Sequence, residues 1–286
     1  MEYLQHDSVL VANQLSLKSL NNKLQNSKVQ SLMTAKGYNF YWFEGGYLPS
    51  KSYYNKNEIF IPATRAGFSS KHSSDNDFLM FFIDNSLMSP FSERIKFLYI
   101  EIFRKKVNNI FNKLPELANS KDCKFVFAHI MAPHPPYVFG ENGESVYYED
   151  KGKNRKQAFI NQLKYINKRT ADVIEDLVHI NNGRNKIIVL QGDHGTRENL
   201  PNDIYSFSQN WTQETFGNLS AVYFSDKSKM NNINYYSSTN TFRVIFNKQF
   251  NQDIELLEDI KYYTDFTFPL KFQTIKQTQL FNSDKE

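Results

Sequence analysis

The chain has 286 residues, 40% hydrophobic and 15% aromatic, enough apolar side chain for a sizeable core, which excludes wholesale disorder. Its 34 basic and 30 acidic residues leave a formal charge of +4 with both signs interspersed, too mild a balance to indicate a nucleic-acid partner. The single cysteine, Cys123, excludes an internal disulfide and any multi-cysteine zinc site.

Residues 9–36 carry apolar side chains at helical spacing (Val11, Leu15, Leu20, Leu24, Val29, Leu32, Met33) and read as one or two helices, with Gly37 as the C-cap. Tyr38–Phe43 is ring-rich and β-prone, closed by Gly45-Gly46, and residues 47–76 look irregular. The start, Met1-Glu2-Tyr3-Leu4-Gln5-His6-Asp7, has neither the basic residues nor the apolar stretch of a signal peptide. The most apolar run, Phe78–Met88, carries Asp84 and Asn85 and falls well short of the roughly 20 apolar residues a spanning helix needs. As it stands, the chain reads as soluble and cytoplasmic.

From Ser92 to Leu114 the spacing of Ile95, Leu98, Ile102, Phe103, Val107, Ile110, Phe111 and Leu114 predicts an amphipathic helix stopped by Pro115. Lys124–Ile130 is a short, nearly continuous apolar strand, followed by a long loop from Met131 to about Lys153. Phe159, Leu163, Ile166, Thr170, Val173, Ile174 and Leu177 then mark a second helix ending at Asn182-Gly183, and Lys186–Gln191 is a second apolar strand. Strand, loop with helix, strand is a βαβ unit, so its strands are expected to run parallel through a right-handed crossover, covered on both faces. Leu219–Phe224 is a further strand, and a terminal helix starts near Asn240. The chain therefore reads as a single α/β domain.

In an open parallel sheet, ligands bind beyond the carboxyl ends of the strands. The first strand delivers His129-Ile-Met-Ala-Pro-His134-Pro-Pro-Tyr137 and the second Gly192-Asp193-His194-Gly195. Parallel geometry predicts that both clusters share one sheet edge. Asp193 and His194 offer a hard oxygen and an imidazole nitrogen side by side, a donor mix suited to a divalent ion. The competing reading is a loop in which Asp193 caps a turn and His194 is incidental. Pro133, Pro135 and Pro136 stiffen the backbone around His134, which fits an anion or metal contact as well as a plain rigid loop. His129 is either a site residue or a buried structural histidine. Arg197 has the guanidinium that matches phosphate or sulfate oxygens. Arg243 is expected to be a structural ion-pair partner.

Ala132-Pro-His134-Pro-Pro-Tyr137 and Gln191-Gly-Asp193-His194-Gly195, each after an apolar strand, resemble the sulfatase-like hydrolases and transferases of the alkaline phosphatase superfamily. Asn161–Asn167 and Asn240–Asn247 are similar to the membrane-anchored bacterial members. The resemblance covers about residues 36–262. It implies a three-layer α/β/α sandwich with a mainly parallel central sheet, and divalent-metal catalysis (Zn, Mn, Ca or Mg) on phosphate or sulfate esters, of envelope or glycan substrates by analogy. It makes Asp193 and His194 metal ligands and His134 a substrate or second-metal contact, with His129 a further candidate; Arg197 joins the substrate contacts on its guanidinium chemistry alone. It also implies a Ser, Thr or modified Cys nucleophile and another acidic ligand on an earlier strand. The chain has no strand candidate before Tyr38, and Met1–Leu4 resembles the stretch just after the nucleophile. The expectation is an N-terminally truncated domain: a chain active only with an upstream-encoded partner segment, or a remnant that binds metal or an anionic ligand without turnover. Full-length relatives are membrane-anchored, with this domain in the membrane or in the periplasmic or extracellular space. A fortuitous match on a soluble α/β interaction protein is the third reading.

Overall fold

The computed structural model describes residues 27–45, 59–62, 86, 89–148, 154–196, 209–230, 237–263 and 273–275. The chain divides into two compact units, one formed by residues 17–183 and the other by residues 1–16 with 184–286.

In the first unit, helix α1 (Lys28–Ala35) begins at Ser27, whose hydroxyl accepts from Gln30 N at 3.1 Å. It stops at Gly37, whose φ of +80° is the left-handed conformation expected of a glycine just past a helix end. Strand β1 (Asn39–Phe43) follows and occupies the centre of a parallel sheet ordered β2-β1-β3, with β2 at Ile59–Ile61 and β3 at Lys124–Phe127. Rings stack across the ladder, Phe40 on Phe125 and Trp42 on Phe127, with centroids 4.8 and 4.6 Å apart. Such pairs add to area burial because offset rings match edge to face charge. The short β2 corrects the irregular reading of 47–76: Ile59-Phe60-Ile61 is too short for a periodic signal, and Pro62 ends it.

Helix α2 (Ser92–Ala118) runs past Pro115 rather than stopping there. Proline lacks its own N–H, yet its carbonyl still accepts from Asn119 N at 3.2 Å, so the last turn closes. Lys124 Nζ then hooks the helix end, donating to Leu117 O at 2.9 Å and Ser120 O at 2.6 Å, where the carbonyls lack helical partners. The expected loop after β3 contains a hairpin, β4 (Tyr137–Phe139) with β5 (Ser145–Tyr148), turning through Gly143 at φ +86°. Helix α3 (Arg155–His179) packs on α2 and β4, and Ile100, Val107, Phe111, Ala132, Val138, Phe139, Ile166 and Val173 form the core between them. Each such side chain contributes about 1.5–3 kcal/mol on full burial. The buried residues of α3 are Ala158, Gln162, Ile166 and Val173: Ile166 and Val173 are as expected, while in the first turns Ala158 and Gln162 are buried and Phe159 and Leu163 only half-buried.

In the second unit, β6 (Ile187–Gln191) pairs antiparallel with β7 (Ser220–Phe224), with α4 (Gln209–Phe216) between them. Helix α5 (Thr241–Phe250) and the antiparallel pair β8 (Lys261–Tyr263) and β9 (Gln273–Ile275) follow. The expected β3–β6 parallel ladder is absent among the described strands, where β3 pairs with β1 and β6 with β7. An apolar run indicates how much of a strand is covered but does not name its neighbour. Both strands are also half-buried rather than buried. Arg243 Nη1 donates to the Glu255 carbonyl at 2.7 Å, a structural contact. The architecture is α/β. No helix among the described residues is long and apolar enough to cross a membrane.

Candidate active site

Strand β6 ends at Gln191, and the chain turns through Gly192-Asp193-His194-Gly195. The turn is tied to its own unit: Gly192 N donates to Leu219 O at 2.8 Å, Gly195 N to Thr215 O at 3.0 Å, and Asn218 Nδ2 to Gly192 O at 2.8 Å. The two glycines are not equivalent. A methyl at Gly195 would overlap the Glu214 carbonyl oxygen and lie 2.5 Å from Gly217 O. At Gly192 the nearest atom would be Leu219 N at 3.6 Å, an ordinary contact. Close packing of backbone on backbone therefore requires glycine at 195 and not at 192.

Between them, Asp193 Oδ1 accepts from His194 N at 3.0 Å, which fixes the carboxylate against its own backbone. Its other oxygen, Oδ2, lies 3.5 Å from His194 Nε2. The imidazole Nδ1 donates to Gly195 O at 2.7 Å; a carbonyl can only accept, so Nδ1 carries a proton and Nε2 is the nitrogen left for a ligand. Two ligand atoms at zinc-like bond lengths in a tetrahedron stand about 3.3 Å apart. The Asp193–His194 pair thus fits one edge of a divalent site. Both side chains are solvent-accessible, at 80% and 42%. They are two donors; among the described residues no group of three or more His, Cys, Asp or Glu is arranged to hold a metal.

The loop after β3 holds the other candidates. His134 is exposed and repeats the pattern of His194: Nδ1 donates to the carbonyl of the next residue, Pro135 O, at 2.7 Å, leaving Nε2 as the presented nitrogen. His134 N donates to Met131 O at 2.9 Å. Two anchors that the sequence reading missed, Gln162 buried and Arg104 half-buried, hold this segment. Gln162 of α3, with no exposed surface, donates from Nε2 to Pro133 O (3.1 Å) and His134 O (3.2 Å). Arg104 of α2 donates to Val138 O (2.6 Å), Gly143 O (2.9 Å) and Glu144 O (2.9 Å), with its guanidinium 4.7 Å over the Phe139 ring. Gln162 carried no signal in the apolar spacing, but once α3 buries it, an amide there costs free energy unless it is fully bonded.

His129 is half-buried, and the end of β1 is pressed against it: a methyl at Gly45 would lie 2.5 Å from His129 O. Beside Gly45, Glu44 is buried and faces Lys106 of α2 at 3.8 Å, an ion pair the sequence reading also missed. The Gly45-Gly46 pair pointed to a strand end but not to this approach. Arg197 lies outside the described residues.

The strongest carboxylate perturbation lies elsewhere. Asp122 accepts from Ser120 Oγ (2.6 Å), Tyr41 Oη (2.9 Å) and Asn39 Nδ2 (3.3 Å), and meets Lys124 Nζ at 3.1 Å. The Ser120 hydroxyl foremost, then Lys124, Asn39 and Tyr41, hold its carboxyl well below the usual range against the opposing effect of burial. Burial, with Asp122 alongside, pushes the Tyr41 phenol up. This knot sits at the amino ends of β1 and β3, opposite the edge carrying His129 and His134, and it serves structure.

Comparison with curated proteins and with solved structures returns no match. A family model described as Sulfatase matches residues 3–247, a span that includes both the His129–Tyr137 loop and the Gly192–Gly195 turn. That family is one of sulfatase-like hydrolases with an alkaline phosphatase-like α/β fold, in which a divalent metal is generally used. Because the match covers well over half of the chain, the protein belongs to the sulfatase family.

Proposed function

We propose that this chain is a metal-dependent hydrolase or transferase of phosphate or sulfate esters, probed most directly on envelope and glycan esters. Asp193 and His194 hold the divalent ion, and His134 meets the anionic ester oxygens, with His129 and Arg197 as further contacts to them. The observation that carries this reading is the 3.5 Å spacing of Asp193 Oδ2 and His194 Nε2, both free to face one ion at a glycine-cradled strand end. When bound, that ion supplies positive charge that polarises the ester and stabilises the departing oxygen. Asp193 is pre-oriented by the His194 amide, and His194 by the Gly195 carbonyl, so neither side chain must be ordered at the moment of binding. His134 presents Nε2 from a loop whose three prolines leave it little freedom. The nucleophile and a further acidic ligand come, on this reading, from an upstream-encoded segment or partner chain.

A second reading is binding without turnover: catalytic zinc sites take three protein ligands, and among the described residues this turn brings two donors together, Asp193 and His194. The test is turnover of 4-nitrophenyl phosphate and 4-nitrophenyl sulfate in Zn²⁺ or Mn²⁺, with and without the polypeptide encoded upstream. Turnover lost in Asp193→Ala supports the enzymatic reading. Metal binding with no turnover under either condition supports the second, and turnover that survives Asp193→Ala sinks both assignments.

A further inference from the structure

We propose that Gln162 is a positioning residue that fixes where His134 presents its imidazole; the inference rests on His134 being a contact for anionic oxygens. Gln162 lies on the buried stripe of α3 between Ala158 and Ile166, where packing alone calls for an aliphatic side chain. Its amide uses its full capacity. Oε1 accepts from Val138 N at 2.8 Å and Phe139 N at 3.2 Å, while Nε2 donates to the Pro133 and His134 carbonyls. The orientation is set by the partners, because a flipped amide would place donors against donors and acceptors against acceptors.

The four backbone groups lie on both sides of Pro135-Pro136, so one side chain bridges the loop's entry to its exit. Proline at 133, 135 and 136 removes three N–H groups, so the loop has few donors of its own and the Pro133 and His134 carbonyls take theirs from outside it. Gln162 supplies two. The imidazole follows the backbone in turn, since Nδ1 is bonded to Pro135 O. The chain of contacts therefore runs from the Gln162 amide through the Pro133 and His134 carbonyls to the His134 ring, and sets which nitrogen faces outward. Removing the donors frees the ring to exchange its proton between nitrogens.

The test is nitrogen NMR on the full chain with ¹⁵N-labelled histidine, above the imidazole titration range, with the His194 ring as internal reference and inorganic phosphate plus Zn²⁺ as the probe. In the parent, His134 holds its proton on Nδ1. Gln162→Met and Gln162→Leu both lose the two donors; they turn His134 into a tautomer mixture while His194 is unchanged. Phosphate affinity falls about tenfold, the fold-change of one hydrogen bond of ~1.4 kcal/mol. A His134 tautomer unchanged in both variants overturns the proposal. Should neither variant fold, the parent decides: slow exchange of the Gln162 side-chain amide protons supports the bridge, and fast exchange overturns it. If His134→Ala leaves phosphate affinity unchanged while the Gln162 variants still mix the tautomer, positioning stands and the anion-contact reading fails.

Discussion

Gly195→Ala is the sharpest perturbation of the Asp193–His194 turn. The added methyl would overlap the Glu214 carbonyl oxygen and sit 2.5 Å from Gly217 O and 2.9 Å from the Glu214 carbonyl carbon. Carbon and carbonyl oxygen rest about 3.3 Å apart, so the Gly217 oxygen alone must retreat by roughly 0.8 Å. All three atoms are backbone near the end of α4, and Gly217 N is itself bonded to Gln213 O at 2.8 Å, so no side chain can swing away. Overpacking of this kind costs about 1–3 kcal/mol, and losing the Gly195 N to Thr215 O bond adds about 1 kcal/mol. The sum, about 2–4 kcal/mol, lowers Tm by roughly 4–16 °C at 2–4 °C per kcal/mol for a domain of this size. Gly192→Ala is the internal control: its methyl meets nothing closer than 3.6 Å, so stability changes by less than ~0.5 kcal/mol. Thermal unfolding by circular dichroism, paired with Zn²⁺ calorimetry, reads both variants. Equal and small Tm changes in the two variants would refute the geometry drawn for the turn.

Arg104→Met leaves the Val138, Gly143 and Glu144 carbonyls without their guanidinium donor and removes its stacking on Phe139; a loss of about 3 kcal/mol and faster hydrogen exchange across Tyr137–Phe139 are expected. Unchanged exchange there would show that the hairpin does not depend on α2. At the other end of the sheet, the Asp122 carboxyl is depressed in the folded state, so its stabilisation is present above the unfolded value near ~3.9 and lost as pH falls through and below it. Asp122→Asn should lower stability at pH 7 and flatten the acid limb between about pH 4 and 2 relative to the parent. An acid limb of the same slope in both proteins would remove Asp122 from that role.

Long periodic segments were legible from the residues alone: α2 and α3 from their apolar spacing, β3, β6 and β7 from apolar runs, and the end of α1 from Gly37. Pairing was not, because Ile187–Gln191 carries no mark that distinguishes β7 from β3 as its neighbour. The β4–β5 hairpin was missed since three or four residues between prolines and glycines are too few to show a period, although Gly143 was a turn signal. For the site, residue type and place after a strand singled out Asp193, His194 and His134 as candidates, because ligands collect at the carboxyl ends of strands in a parallel sheet. The supports escaped: Gln162 and Arg104 act through carbonyls 28 to 40 positions away, a partnership that sequence spacing does not encode. The flanking glycines looked alike in sequence, and only the position of Glu214 and Gly217 separates them.

Zinc titration by calorimetry of the parent, Asp193→Ala and His194→Ala most directly decides whether this strand end holds a metal. The parent should bind one ion, and each variant should weaken it by at least about tenfold, consistent with removing one of few ligands. Parent-like affinity in both variants would place any metal elsewhere and contradict the assignment of Asp193 and His194.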